Sequence, residues 1–167
     1  MASGQTLGTF QAIDAFSSVT NGTIPKVTNN RMVQQFDPST QQSCEFSWVV
    51  PRNYSAATGW TIILQWFGDT ATTNNVLWGV AVERNASAGN AVTTDNFAST
   101  VNASAAVAVQ GTLGKLTYTS IALTNGTQIN SVAVGEECRV KILRIAADAS
   151  DTMAGFANLL SFEIEET

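Results

Sequence analysis

The chain contains no histidine. That removes the commonest general base, the commonest metal ligand and the usual partner of a nucleophilic serine or cysteine. Only two cysteines are present, Cys44 and Cys138, and without histidine they do not make a zinc site. Charge is scarce too: Asp, Glu, Lys and Arg make up 13% of the residues, about half the usual share. The net charge is −5, and the eight Lys and Arg are scattered between Lys26 and Arg144. Neutralising phosphates needs clustered cations, so this balance argues against nucleic acid as a partner. No apolar stretch approaches the roughly 18 residues of a membrane span. Met1–Phe10 has no basic n-region and no apolar h-region, so no secretory signal is expected and the chain reads as made in a cytoplasm and soluble. Gly111-Thr-Leu-Gly114-Lys115 lacks the spacing of a phosphate loop and leads into a strand.

What is present is alternation. Cys44, Phe46, Trp48 and Val50 point one way, with Glu45 and Ser47 opposite. Trp60, Ile62, Leu64 and Trp66 repeat the pattern, as do Val76, Trp78, Val80 and Val82, and Leu160, Phe162 and Ile164 against Ser161, Glu163 and Glu165. A period of two buries one face of a strand and wets the other. Strands are expected at about 31–36, 43–50, 60–67, 76–84, 106–110, 115–124, 138–146 and 159–165, separated by turn signals such as Asp37-Pro38-Ser39 and Asn125-Gly126. In 115–124 and in 138–146 the apolar set slips by one residue, which predicts a β-bulge in each. Asn85–Ala108 is Ala-rich and reads as a long loop, with a turn of helix near Asp95–Ala106 as the other option. The expected fold is all-β: an eight-stranded antiparallel sandwich of jelly-roll topology with an extended N-terminal arm. An immunoglobulin-type sandwich is the alternative, on the Cys…Trp…Cys order. The four Trp share phase with core residues and read as core, although a Trp row on an open face also suits sugar stacking. The cysteines read as buried thiols, with an inter-strand disulfide open as the alternative.

Residues 1–30 differ in composition and form the expected arm, with the sandwich domain at 31–167. Their single apolar island, Phe10, Ile13 and Phe16, either caps the protein's own core or docks on a partner. If it docks, deleting Met1–Asn30 leaves the sandwich folded. Among the carboxylates, Asp148 and Asp151 read as a turn pair, with Ca²⁺ or sugar chemistry as the sharper alternative. Glu136-Glu137 and the acidic tail Glu163, Glu165 and Glu166 read as solvent-facing. Five Asn-X-Ser/Thr sequons, at Asn21, Asn53, Asn85, Asn102 and Asn125, mark expected loops. No acid–base pair stands out, so no enzyme activity and no cofactor are expected.

The run Gln35-Phe36-Asp37 … Glu45-Phe46-Ser47-Trp48-Val49-Val50-Pro51-Arg52-Asn53-Tyr54, then Gly59-Trp60-Thr61-Ile62 and Asn75-Val76-Leu77-Trp78-Gly79-Val80, resembles a group of small virion proteins of tailed bacteriophages. The ending, Arg144 … Asp148-Ala-Ser-Asp151-Thr152-Met153-Ala154-Gly155 … Leu159-Leu160-Ser161-Phe162, is similar as well. The resemblance covers about residues 31–166. It implies a jelly-roll capsid decoration (cement) protein, a homotrimer on the outside of a phage head that binds the major capsid protein and stabilises capsomer junctions. A receptor- or glycan-binding module of a fibre or tail is the alternative. The family offers no catalytic motif, and the arm with Phe10, Ile13 and Phe16 lies outside the match.

Overall fold

The computed structural model describes residues 4–86, 89, 92–95, 97 and 101–167. The alternating segments become antiparallel strands: β1 (Thr6–Gln11), β2 (Phe16–Ser17), β3 (Ile24–Thr28), β4 (Arg31–Phe36), β5 (Ser43–Val49), β6 (Trp60–Gly68), β7 (Asn75–Val76), β8 (Trp78–Asn85), β9 (Asn102–Ala103), β10 (Val107–Ala108), β11 (Thr117–Leu123), β12 (Glu137–Arg144) and β13 (Ala157–Glu166). One sheet runs β11-β6-β13-β4-β3, with β1 also paired to β13. The other runs β2-β5-β12-β8-β9, and β7 pairs with β10. The two layers form a jelly-roll-type β-sandwich. Each of the eight expected strands is present, and β1, β2, β3 and β9 are additional.

The core between the layers is aromatic. Trp60, Ile62, Leu64 and Trp66 of β6 are fully buried, as is Trp78 of β8. Trp66 meets Trp78 edge-on at 5.6 Å, and Phe46 of β5 meets Phe162 of β13 at 4.8 Å. Each such side chain contributes about 1.5–3 kcal/mol on burial. Cys44 lies opposite Ile142 on β12 and Cys138 opposite Trp48 on β5, four residues apart along the pair. That is about 13 Å, too far for a disulfide. Both thiols are free and buried, and burial pushes their pKa values up.

Several expectations need correction. No bulge falls in β11 or β12, whose registers run unbroken. In β11, Thr117 and Thr119 point inward, and the Trp66 indole N–H donates to Thr119 Oγ1 at 2.8 Å. In β12, Arg144 is fully buried and its guanidinium meets Asp151 at 2.6 Å. The bulges are instead in β13, between Leu159 and Ser161, and in β1, between Thr6 and Gly8. Leu159, not Leu160, is therefore the core residue. Residues 4–30 run extended but are not set apart from the sandwich. β1 pairs with β13, β2 with β5 and β3 with β4, so the segment crosses from one sheet to the other and back. Among the described residues of 95–106 there is no helix, and the rest of that expectation lies outside the described residues.

Candidate functional site

The outer face of the β6-containing sheet carries the most open chemistry. Its shape follows from the β13 bulge. Up to Leu159, β13 pairs with β4; from Ser161 onward it pairs with β1. The two partners part at Leu160, whose side chain stands in the fork. A two-residue turn, Asn29-Asn30, with φ of +48° and +61°, joins β3 to β4 and sets Arg31 at the mouth. Positive φ at both positions is what a tight hairpin of this kind requires, and Asn tolerates it.

Two adjoining clefts result. One, of about 320 Å³, is lined by Gln11, Ile13, Arg31, Met32 and Leu160. The other, of about 290 Å³, is lined by Thr28, Val33, Phe67, Leu116 and Leu160, with Arg31 shared between the two. No carboxylate lines either cleft. Beside them, a row of polar residues crosses four strands in register, Tyr118 and Gln11 open at its ends and Ser161 buried within it. Tyr118 on β11 lies opposite Gln65 on β6, Gln65 opposite Ser161 on β13, and Ser161 opposite Gln11 on β1. At about 4.8 Å per strand the row spans roughly 14 Å. Tyr118 is 59% exposed, and Ser161 Oγ donates to Gln65 Oε1 at 3.2 Å. An open ring beside side-chain amides can stack on an apolar face while the amides hydrogen bond its polar rim.

The outer face of the opposite sheet is closed by its own charges. Arg139 bonds Glu45 at 2.9 Å, Asp95 at 2.5 Å and also Glu83. Lys141 meets Glu45 at 3.4 Å, and both cations lie over the Phe97 ring, Lys141 at 3.8 Å from its centre. Glu45 and Glu83 are thus held as counter-ions. Among the described residues, no cluster of acidic or thiol side chains fits a metal ion.

The residues singled out in the sequence separate in space. Phe10 is core: it stacks on Phe162 at 4.7 Å and meets Phe46 and Trp48 edge-on. It is sequestered from any partner, because β1 is laid on β13 and turns the ring inward. Ile13 and Phe16 are 70% and 68% exposed. Asp148 caps its own turn through Ser150 N, which holds its carboxyl below the usual range. Asp151, by contrast, is buried and accepts from the Arg144 guanidinium and Leu77 N. Glu136 is paired to Arg84 at 2.7 Å rather than facing water, and Glu137 accepts from Asn85. Glu166 is buried and accepts from Ser55 N and Thr58 Oγ1. The sequence reading missed Arg31, Gln65, Tyr118 and Leu160 as neighbours. The one signal for them was the break in alternation at Tyr118 and at Leu159-Leu160.

No family model matches the sequence. No curated protein matches it either. Solved structures do share the fold. The CBM22-1 xylan-binding domain from Paenibacillus barcinonensis Xyn10C superposes with a TM-score of 0.52 at 12% identity, over 99% of this chain and 97% of that one. CBM35 from Cellvibrio japonicus Abf62 gives 0.53 at 10% identity, over 94% and 92%. The tandem CBM22-1-CBM22-2 domain of Xyn10C gives 0.53 at 12% identity, over 100% of this chain and 47% of that one. At these identities the likeness is one of fold.

Proposed function

We propose that this protein is a non-catalytic glycan-binding module, and that the outer face bearing Tyr118, Gln65 and Gln11 is its binding surface. The observation that carries the reading is the row itself: an exposed ring at one end, the amides of Gln65 and Gln11 behind it, and a groove alongside. A sugar offers alternating apolar faces and hydroxyl rims, which match that order of groups. Two folds of this shape named for carbohydrate binding support it. Joined to the phage resemblance, the reading becomes a receptor-binding element of a fibre or tail. A glycan array with the intact protein tests it, followed by titration of a hit against Tyr118→Ala. Loss of the stacked ring weakens binding roughly tenfold, for about 1.5 kcal/mol. Fold stability stays within about 0.5 kcal/mol, since the ring is exposed. Binding to no glycan, or equal binding by the variant, sinks the proposal.

A second reading is the capsid decoration protein, a homotrimer seated on the major capsid protein. One observation favours it. Ile13, Phe16, Val19, Ile24 and Val27 are all exposed large apolar residues within one short segment, and apolar side chains gathered this way suit a protein interface. A protein that binds only the assembled shell stabilises it by mass action. Adding purified protein to stripped heads separates the readings: saturable binding with raised heat resistance favours decoration, and a monomer that ignores heads rejects it.

A further inference from the structure

We propose that β11 is an interface strand: a second copy of this chain pairs with it antiparallel, across a two-fold axis at Ser120, and joins the two β6-containing sheets into one. The pairing goes beyond the glycan reading and does not rest on it. β11 forms one border of its sheet. Its ladder goes to β6 alone, in unbroken register from Thr117 opposite Trp66 to Leu123 opposite Trp60. Among the described residues, no loop backbone bonds its other side. Thr117, Thr119, Ile121 and Leu123 are buried, while Tyr118, Ser120 and Ala122 are exposed. In an antiparallel ladder, alternate residues bond one neighbour and the rest face the other side. Buried N–H and C=O groups are almost all paired, so the buried set bonds β6. The exposed set, Tyr118, Ser120 and Ala122, holds the open backbone groups.

An open strand is a template for pairing, and proteins blunt it with charge, proline, a bulge or shortness. The other borders of the two layers are blunted in these ways. β2 and β9 are two residues long. β3 carries Pro25 and Lys26, and β1 has its bulge between Thr6 and Gly8. β11 has none of these devices: Thr117-Tyr-Thr-Ser-Ile-Ala-Leu123 holds no charge, no proline and no glycine.

The side chains suit a copy of this same strand. With Ser120 opposite the partner's Ser120, Tyr118 falls opposite the partner's Ala122, and Ala122 opposite the partner's Tyr118. Three such pairs, each exchanging two bonds, give about six backbone hydrogen bonds. The largest outward side chain meets the smallest in each outer pair, and hydroxyl meets hydroxyl at the axis. No charged group is set opposite a like charge. In the joined sheet the two Tyr118 rings share one outer face, four residues apart on neighbouring strands, or about 14 Å. The partner's Tyr118 thus extends the row of Tyr118, Gln65 and Gln11.

The test is sedimentation equilibrium on the full chain between about 1 and about 100 µM, because a single strand pair is a small interface and its affinity falls in that range. A monomer–dimer equilibrium is expected. Ser120→Lys sets two like charges against each other at the axis and weakens the dimer by about tenfold or more. Its near-UV circular dichroism stays that of wild type, since the residue is exposed. Ser120→Cys reads the register directly. A hydrogen-bonded antiparallel pair sets its Cα atoms about 5.5 Å apart, within reach of a disulfide, so mild oxidation links two copies. The native thiols, Cys44 and Cys138, are buried and do not compete. Val19→Cys, at a fully exposed position of the N-terminal segment, is the control and stays unlinked. A monomer throughout the range, a trimer, a dimer that Ser120→Lys leaves equally tight, or linkage through Val19→Cys instead of Ser120→Cys would overturn the pairing. Each of those results leaves the glycan array to be judged on its own.

Discussion

Replacing Phe10 with alanine separates a docking arm from a structural strand. The ring stacks on Phe162 at 4.7 Å with planes 12° apart, and meets Trp48 at 5.8 Å and Phe46 at 6.1 Å edge-on. Two of those partners are fully buried, so the space left behind has little room to collapse. Truncating a core phenylalanine costs about 3–5 kcal/mol. With a urea m-value of about 2 kcal/mol/M, the unfolding midpoint should drop by roughly 1.5–2.5 M. Phe16→Ala is the control. That ring is 68% exposed, and a surface truncation stays within about 0.5 kcal/mol, or roughly 0.25 M.

The same logic reverses the expectation for deleting Met1–Asn30. The deletion strips β1 from β13, β2 from β5 and β3 from β4, and it uncovers Phe46 and Phe162. The shortened chain should fail to fold or should aggregate from its exposed strand edges. Equilibrium urea unfolding followed by Trp fluorescence reads the point variants, and near-UV circular dichroism reads the deletion. A Phe10→Ala midpoint equal to that of wild type, or a native spectrum from the deletion, would refute the assignment of these residues to the core.

Two further outcomes follow from the buried and paired charges. Arg144→Ala leaves the fully buried Asp151 carboxylate without its guanidinium and frees the carbonyls of Met153 and Gly155. A loss of about 3–5 kcal/mol is expected by urea unfolding, and a change under about 1 kcal/mol would contradict the burial of the pair. The hydrogen bond from Arg84 to Glu136 holds that carboxyl below its ordinary 4.5, helped by Ala133 N. A depressed carboxyl stabilises the fold fully above its unfolded value and loses that contribution as pH falls through the folded one. Stability should therefore decline as pH drops below about 4.5, and Glu136→Gln should flatten that part of a midpoint-against-pH profile; an unchanged slope counts against the pairing.

The strands were legible because each depends on residues two apart, and Trp60, Ile62, Leu64 and Trp66 state their phase within one segment. The phase breaks were visible but misassigned. In 115–124 and 138–146 they looked like extra backbone residues. Their cause is side-chain chemistry: Thr119 occupies a core position because Trp66 needs an acceptor, and Arg144 occupies one because Asp151 is buried beside it. The true bulge lies in Leu159-Leu160-Ser161-Phe162, where either leucine can serve as the core residue. Register against β4 on one side and β1 on the other decides between them, and those partners are distant in sequence. The N-terminal strands were illegible for a related reason. β2 is two residues long, and β3 carries Pro25 and Lys26. Neither holds a strand by its own pattern; each is held by an edge that another segment supplies.

That same dependence on distant edges explains why the candidate site could not be read from a motif. Arg31, Tyr118 and Leu160 sit on three strands with no common spacing, and the fork of β13 brings them to one face. The two outer faces of the sandwich also differ in what is left over. On the β12 side, the carboxylates Glu45 and Glu83 are matched by Arg139 and Lys141, and Phe97 lies across the two cations. On the β6 side Arg31 lines both clefts with no carboxylate partner among the described residues, and the Tyr118 ring stands exposed. Unmatched groups on a folded surface are what a ligand can engage without breaking existing bonds. The proposed glycan-binding face is therefore the β6 side, where a cation and a ring stand open, and not the β12 side, whose charges are spent on one another.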